Sequence, residues 1–166
     1  MTETKLQFYS DISEYAEIIA QIFLSTYGLS RSKDARVIKT LCGHPHSFGL
    51  VARTDKSSDG FILLQQAGDS ADVIEFCVRS SAQKKGIGRR LLENALRAAR
   101  SHGIERVMLE VASTNQSALR LYQTSGFETI GQRPGYYRSD SRTIDALVMC
   151  CEVSGLVLSS SPVTKA

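Results

Sequence analysis

The 166-residue sequence contains no tryptophan, and only three each of proline, methionine and histidine. It also lacks a long hydrophobic run: no stretch approaches the roughly 20 apolar residues of a membrane-spanning helix, so no membrane partner is expected. Charge of one sign is equally scarce. Twenty basic residues against seventeen acidic ones leave +3, too mild an excess to suggest a nucleic-acid binder. The first residues, Met1 to Gln7, have neither the charged nor the apolar region of a signal peptide, and a cytoplasmic protein is expected. Cysteine is limited to Cys42, Cys77, Cys150 and Cys151, with no Cys-x-x-Cys spacing, which argues against a disulfide framework or a zinc ribbon. Cys42-x-His44-x-His46 is the only cluster of ligand-type residues. It sits beside Pro45 and lacks a fourth ligand, so a plain loop and no metal are expected.

What is present is a core-forming chain, 42% hydrophobic, long enough for one domain without staples. One domain over residues 1–153 and a Ser-rich mobile tail over 154–166 are expected. Lys5 to Tyr9 alternates as a strand does. Asp11 reads as an N-cap with Glu14 as its capping-box partner. Tyr15, Ile18, Ile19, Ile22, Phe23 and Thr26 then follow at helical spacing up to Gly28. Ala35, Val37, Ile38 and Leu41 predict a second helix ending at Gly43. Phe48 to Arg53, Phe61 to Gln66 and Val73 to Arg79 read as strands, the first two as a hairpin. Ile87 to His102 carries Leu91, Leu92, Ala95, Leu96 and Ala99 on one helical face. Arg106 to Val111 is a strand. Asn115 caps a helix bearing Ala118, Leu119 and Tyr122, which stops at Gly126. Phe127 to Gly131 and Ile144 to Val153 close the pattern as strands. The order β-α-α-β-β-β-α-β-α-β-β predicts an α/β fold of mixed α+β character: a central mixed sheet with helices on both faces.

The chemically telling segment is Val78 to Arg90, which joins a strand to a helix start. Gly86 and Gly88 allow close backbone approach. Free amides at a helix N-terminus, with the helix dipole behind them, suit a phosphate. Lys84, Lys85, Arg89 and Arg90 add charge. A P-loop would need Gly-Lys-Ser/Thr, and a dinucleotide fingerprint would need a glycine where Leu91 stands. The remaining pattern, Gln83-Lys-Lys-Gly-Ile-Gly88, resembles the coenzyme A signature of the GNAT N-acetyltransferase superfamily. A second block, Leu109 to Phe127 with Glu110, Asn115 and Tyr122, is similar to the same family. With Arg133-Pro-Gly-Tyr-Tyr137 and Asp145-Ala-Leu-Val-Met149, it looks like the bacterial ribosomal-protein-alanine N-acetyltransferases. The likeness spans roughly residues 60 to 150. The first third lacks that subfamily's aromatic-proline-tryptophan segment.

The resemblance implies acetyl-CoA as co-substrate, with its pyrophosphate against Gln83, Lys84, Lys85, Gly86, Ile87, Gly88 and Arg89. It implies that the backbone of Phe76, Cys77 and Val78 pairs with the pantetheine arm, that the Val78 amide polarises the thioester carbonyl, and that Asn115 contacts the cofactor. Acetyl transfer needs an ammonium deprotonated and a thiolate reprotonated. Glu110, a carboxylate on an otherwise apolar strand, is assigned as base, with Glu75 as the alternative; without the resemblance it reads as a solvated or ion-paired side chain. Tyr122 is the implied acid; its plain reading is a core residue with a surface hydroxyl. Asn115 is also a simple helix cap. Tyr136 and Tyr137, placed between the last two strands, are expected to border an acceptor groove; their plain reading is a packed pair. The implied acceptor is a primary amine, foremost a protein N-terminus of ribosomal-protein-alanine type. A small-molecule amine acetyltransferase and a non-catalytic acyl-CoA-binding module are the alternatives. Direct nucleic-acid binding through the Lys84–Arg90 cluster ranks last, because no stacking aromatics accompany it.

Overall fold

The computed structural model describes residues 5–9, 12–29, 32–54, 57–139, 142–156 and 164–165. The expected N-cap at Asp11 lies outside them. The chain runs through β1 (Lys5–Tyr9), a 3-10 turn (Ser13–Tyr15), α1 (Ala16–Tyr27), α2 (Ser32–Cys42), β2 (Ser47–Arg53), β3 (Ser58–Ala67) and β4 (Ser70–Val78). A second 3-10 turn (Ser80–Ala82) leads to α3 (Ile87–Ser101), β5 (Arg106–Ala112), α4 (Gln116–Thr124), β6 (Glu128–Ser139), β7 (Arg142–Glu152) and β8 (Thr164–Lys165). No helix among the described residues is long and apolar enough to cross a membrane.

The strands form one eight-stranded sheet in the order β6-β7-β5-β4-β3-β2-β1-β8. Its β4–β5 and β1–β8 pairs are parallel and the others antiparallel, which makes the sheet mixed, as the sequence pattern predicts. Each face carries its own core. The apolar stripe of α3 (Leu91, Leu92, Ala95, Leu96, Ala99) packs with Leu50, Ile62, Val107, Leu109 and Tyr122. On the other face, Ile19, Ile22 and Phe23 of α1 and Ile38 of α2 meet Val51, Phe61, Leu63 and Cys77. Past β7, Leu156 packs against the α3-side core, and Thr164–Lys165 run parallel to β1.

One segment, β6, departs from the sequence pattern. It continues to Ser139, so Tyr136 and Tyr137 stand on the strand and not in the connection after it. The register shifts between Thr129 and Gly131 and between Arg133 and Tyr137, which destroys the two-residue alternation by which a strand is recognised. Pro134 is tolerated because β6 is an edge strand and a bulge needs no ladder donor there.

The feature that positions the site is a split in the middle of the sheet. β4 and β5 pair only from Ser70–Asp72 to Arg106–Met108. Beyond that point β4 stays with β3 and β5 with β7. Leu63 opposes Glu75 and Leu64 opposes Val73, leaving Ile74 as an extra residue on β4; such a bulge bends its strand. The result is a wedge between two diverging strands.

Candidate active site

Backbone direction decides what faces the wedge. The Arg79 N–H donates to the Asp59 carbonyl on β3, and backbone groups alternate sides along a strand. Cys77 and Glu75 therefore turn their backbones to β3, whereas Phe76 and Val78 turn theirs to the wedge. The Cys77 thiol points into the α1-side core, 3.2 Å from Thr26 Oγ1. Of the three strand residues expected to pair with a ligand, the backbone of Cys77 is thus engaged elsewhere. Two wedge-facing groups are also occupied: the Phe76 N–H donates to Glu75 Oε1 at 3.2 Å, and Gln83 Nε2 donates to the Val78 carbonyl at 2.9 Å. The Val78 N–H and the Phe76 carbonyl remain directed into the gap. On the opposite edge the Ser113 N–H donates to the Asp145 carbonyl on β7, so the backbones of Glu110 and Ala112 face the gap from β5.

The glycine-rich turn stands at the mouth of this wedge. Gly86 is the N-cap of α3 at φ 77°, ψ 0°, and Lys84 also has positive φ, 59°. The left-handed cap exposes the start of the helix. The first intrahelical bond runs from the Arg90 N–H to the Gly86 carbonyl at 3.1 Å, and no side chain caps this end. The amides of Ile87, Gly88 and Arg89 consequently point outward, where the helix dipole favours an anion. Gly88 lies against Phe76, Val78 and Leu121, each 3.6–3.8 Å from where a Cβ would stand. Lys85 Nζ is turned back to the Ser81 carbonyl at 2.9 Å. Arg89 reaches Thr124 on α4 at 3.0 Å and Glu93 at 3.8 Å. A groove of about 510 Å³ runs from this turn past Val78, Asn115, Ser117 and Leu121 to Tyr122. Asn115 caps α4, its Oδ1 accepting from the Ala118 N–H at 3.2 Å, and also lines the groove.

Sharing Tyr27, Phe76, Asn115, Ala118 and Tyr122 with this groove is a second cavity of about 310 Å³, bordered also by Glu75, Glu110 and Tyr137. The fold thus brings both candidate bases and the candidate acid to one space. Val107, Leu109 and Val111 pack beneath α3, so alternation puts Glu110 on the α1 side of the sheet. Tyr122 arrives from α4, its ring 6.3 Å from Phe76 and 5.7 Å from Phe127. It is 8% exposed, and burial, with Glu75 and Tyr137 adding to it, pushes its phenol well above the ordinary tyrosine pKa. Such a phenol stays protonated and able to donate. Glu110 is held by Arg133, whose Nε lies 2.8 Å from Oε1. Tyr136 hydrogen-bonds the same carboxylate, which raises the phenol's pKa. Burial and then Glu110 raise that of Tyr137, and burial and then Glu110 also raise that of Asp72.

Some participants were not singled out by sequence reasoning. Tyr27, at the end of α1, lines both cavities; nothing in its local pattern sets it apart from other helix-end aromatics. Arg133 stands in the quoted Arg-Pro-Gly-Tyr-Tyr block, yet its pairing with Glu110 depends on the β6 bulge. Cys42 ends α2, and His44 and His46 stand in the turn after it, where His44 Nδ1 is within hydrogen-bonding distance of Gln65 Nε2 and accepts from the His46 N–H.

Residues 13–127 match the Acetyltransferase (GNAT) family. The chain is 31% identical over 94 residues to the [Ribosomal protein bS18]-alanine N-acetyltransferase of Escherichia coli (strain K12), covering 57% of this chain and 64% of that protein. The aligned part therefore leaves about a third of that relative unmatched. Identity to the N-alpha-acetyltransferase RimI of Mycobacterium tuberculosis is 32% over 133 residues, covering 78% of this chain and 80% of that one. The crystal structure of the Escherichia coli ribosomal-protein-alanine acetyltransferase superposes with a TM-score of 0.79 at 20% identity, covering 96% of this chain and 100% of that chain. A Bacillus subtilis acetyltransferase in complex with CoA superposes with a TM-score of 0.71 at 16% identity, covering 90% and 99%.

Proposed function

The chain belongs to the GNAT acetyltransferase family, and on that premise we propose that it transfers the acetyl group of acetyl-CoA to a primary amine, the free α-amino group of a protein N-terminus. The observation that carries this reading is the wall of Phe76, Asn115, Ala118 and Tyr122 that the groove at Gly86 and Gly88 shares with the cavity lined by Glu75 and Glu110. The residues present suit the co-substrate. The outward amides of Ile87, Gly88 and Arg89 fit a pyrophosphate, and the Val78 N–H and Phe76 carbonyl fit an amide-bearing arm laid along β4 as an added strand. Bound there, acetyl-CoA supplies an activated acyl thioester.

The protein's own groups then divide the proton work. Glu110, directly or through a water, takes a proton from the acceptor ammonium, which frees the lone pair that attacks the acyl carbon. The Val78 N–H steadies the carbonyl oxygen as charge builds on it. As the carbon–sulfur bond breaks, the buried Tyr122 hydroxyl gives its proton to the departing sulfur, the second proton of the new amide nitrogen leaves through water that reprotonates Tyr122, and Glu110 returns its own proton to solvent.

A terminal α-amino group suits this site because its pKa near 8 leaves a useful neutral fraction at pH 7, whereas lysine, near 10.4, needs more help. The likeness to enzymes named for ribosomal-protein and N-alpha acetylation supports a protein N-terminus beginning with alanine, and a ribosomal acceptor fits a cytoplasmic enzyme. Tyr136 and Tyr137, exposed beside Glu110, are suited to bonding a peptide backbone. The test compares acetyl transfer to an Ala-initiated peptide, to the same peptide blocked at its N-terminus and carrying a lysine, and to free small amines. Preference for the blocked lysine peptide or a small amine would remove the N-terminal acceptor and leave acetyl transfer standing.

A further inference from the structure

The Glu110 carboxylate already has a cation beside it. Arg133 Nε lies 2.8 Å from Oε1, and its guanidinium carbon is 5.7 Å from the centre of the Tyr136 ring. The Tyr136 hydroxyl lies beside the same carboxylate. This arrangement is braced from β7. Asp145 Oδ1 accepts the Gly135 N–H at 2.8 Å, and its Oδ2 accepts Gln132 Nε2 at 2.6 Å, which pins the bulge between Arg133 and Tyr137. The pair remains open to exchange: the Arg133 side chain is 59% exposed and that of Glu110 27%.

The acceptor amine reaches the site as a monocation, like the guanidinium that stands there. We propose that Arg133 is a built-in competitor for the acceptor's ammonium, occupying Glu110 until an acceptor displaces it. This rests on the acetyl-transfer reading only for the identity of the displacing cation. A half-exposed ion pair is weak, so displacement is cheap. A tethered cation nevertheless acts at an effective concentration of millimolar order. A bare small amine, with one charge and few contacts, competes poorly against it. A peptide amine whose chain is also held by the exposed Tyr136 and Tyr137 competes well. Arg133 thereby sets acceptor affinity and selects for acceptors that extend beyond the ammonium.

The test has a binding arm and a kinetic arm. Methylguanidinium is titrated into wild type, Arg133→Ala and Arg133→Ala/Glu110→Gln, following the Glu110 side-chain carboxyl carbon by NMR where it is present and calorimetry in all three. Binding to Arg133→Ala should be at least about fivefold tighter than to wild type and should vanish in the double variant. In acetyl transfer to an Ala-initiated peptide, Arg133→Ala should lower KM about threefold to tenfold with kcat within about twofold, and methylamine should become a better acceptor. Arg133→Lys, which keeps a cation in place, should stay near the wild-type KM. A purely structural role would lower kcat and leave KM alone. Equal methylguanidinium affinity in wild type and Arg133→Ala, or a KM that rises in Arg133→Ala, overturns the proposal. If wild type acetylates no amine, the functional reading fails, and the binding arm still decides whether Arg133 guards the carboxylate.

Discussion

Arg89 Nη2 donates to Thr124 Oγ1 at 3.0 Å, and this bond joins the first turn of α3 to the end of α4 across the groove. Two helices that enclose one site are thereby tied together: α3 offers its N-terminal amides, and α4 carries Tyr122. The Arg89 guanidinium is engaged with Thr124 and Glu93, so in the proposed function this residue serves the phosphate chiefly through its amide.

The groove's dependence on backbone amides gives a first expectation. Gly86 sits at φ 77°, where an L-residue costs about 1–2 kcal/mol and a β-branched one more. Nothing lies within 4 Å of an added Cβ, so the effect of Gly86→Val should come from the distorted turn and from methyl groups in the path of the phosphate. Calorimetry should show CoA affinity at least about tenfold weaker, while Arg89→Ala should cost less. Unchanged affinity in Gly86→Val would remove the turn from the binding site.

Glu110→Gln and Tyr122→Phe should each lower kcat about 10²–10⁴-fold with little change in CoA affinity. Steady-state kinetics with calorimetric controls would measure both effects. The raised pKa of Tyr122 keeps its hydroxyl protonated, so no loss of rate from phenol ionisation should appear as pH rises to about 10, the ordinary tyrosine value. Near-normal turnover in Glu110→Gln would move the base role to Glu75, which lines the same cavity.

Asp145→Ala should separate acceptor binding from cofactor binding. It orphans the Gly135 N–H and frees Gln132, at a stability cost of about 1–3 kcal/mol. The bulge that places the tyrosine pair should loosen, and the loss of those peptide contacts should outweigh the freeing of Glu110 from Arg133, raising KM for a peptide acceptor without altering CoA affinity. Thermal unfolding and paired titrations would measure the two effects, and a parallel loss of CoA affinity would contradict the assignment.

Stability should fall in alkali. Burial raises the thiols of Cys42, Cys77 and Cys151 from the ordinary 9.0 to about 11. Each folded pKa lies above its unfolded value, so the fold retains protons that the unfolded chain releases. The associated stability is complete below about pH 9 and is lost as pH rises through 9 to 11. Urea midpoints measured under reducing conditions should decline across that window, and Cys77→Ala should flatten the decline. A midpoint constant up to pH 11 would count against buried neutral thiols.

Much of the protein was legible from local pattern. The α3 stripe from Leu91 to Ala99 repeats every three to four residues, so burial of that face follows from one helix alone. The strand–turn–helix from Val78 to Arg90 carries its phosphate chemistry in contiguous residues, because glycine torsions and a helix start are local properties. Asn115 likewise caps the helix that it precedes. The last strands were less legible, since the bulges around Gly131 and Pro134 break the alternation and make Tyr136 and Tyr137 look like part of a turn.

The sequence by itself determined the order of elements, the two apolar helix faces and the glycine turn, all set by torsions and periodicities within a few residues. Only the tertiary structure decided that β4 and β5 part after Asp72 and Met108, that the backbones of Phe76 and Val78 face the gap while that of Cys77 does not, and that Tyr122 meets Glu75 and Glu110 in one cavity. It alone paired Arg133 with Glu110, which stand 23 positions apart on strands that share β7 as their common neighbour. Such relations depend on strand register and on the bend that one extra residue imposes, and neither is encoded at any single position.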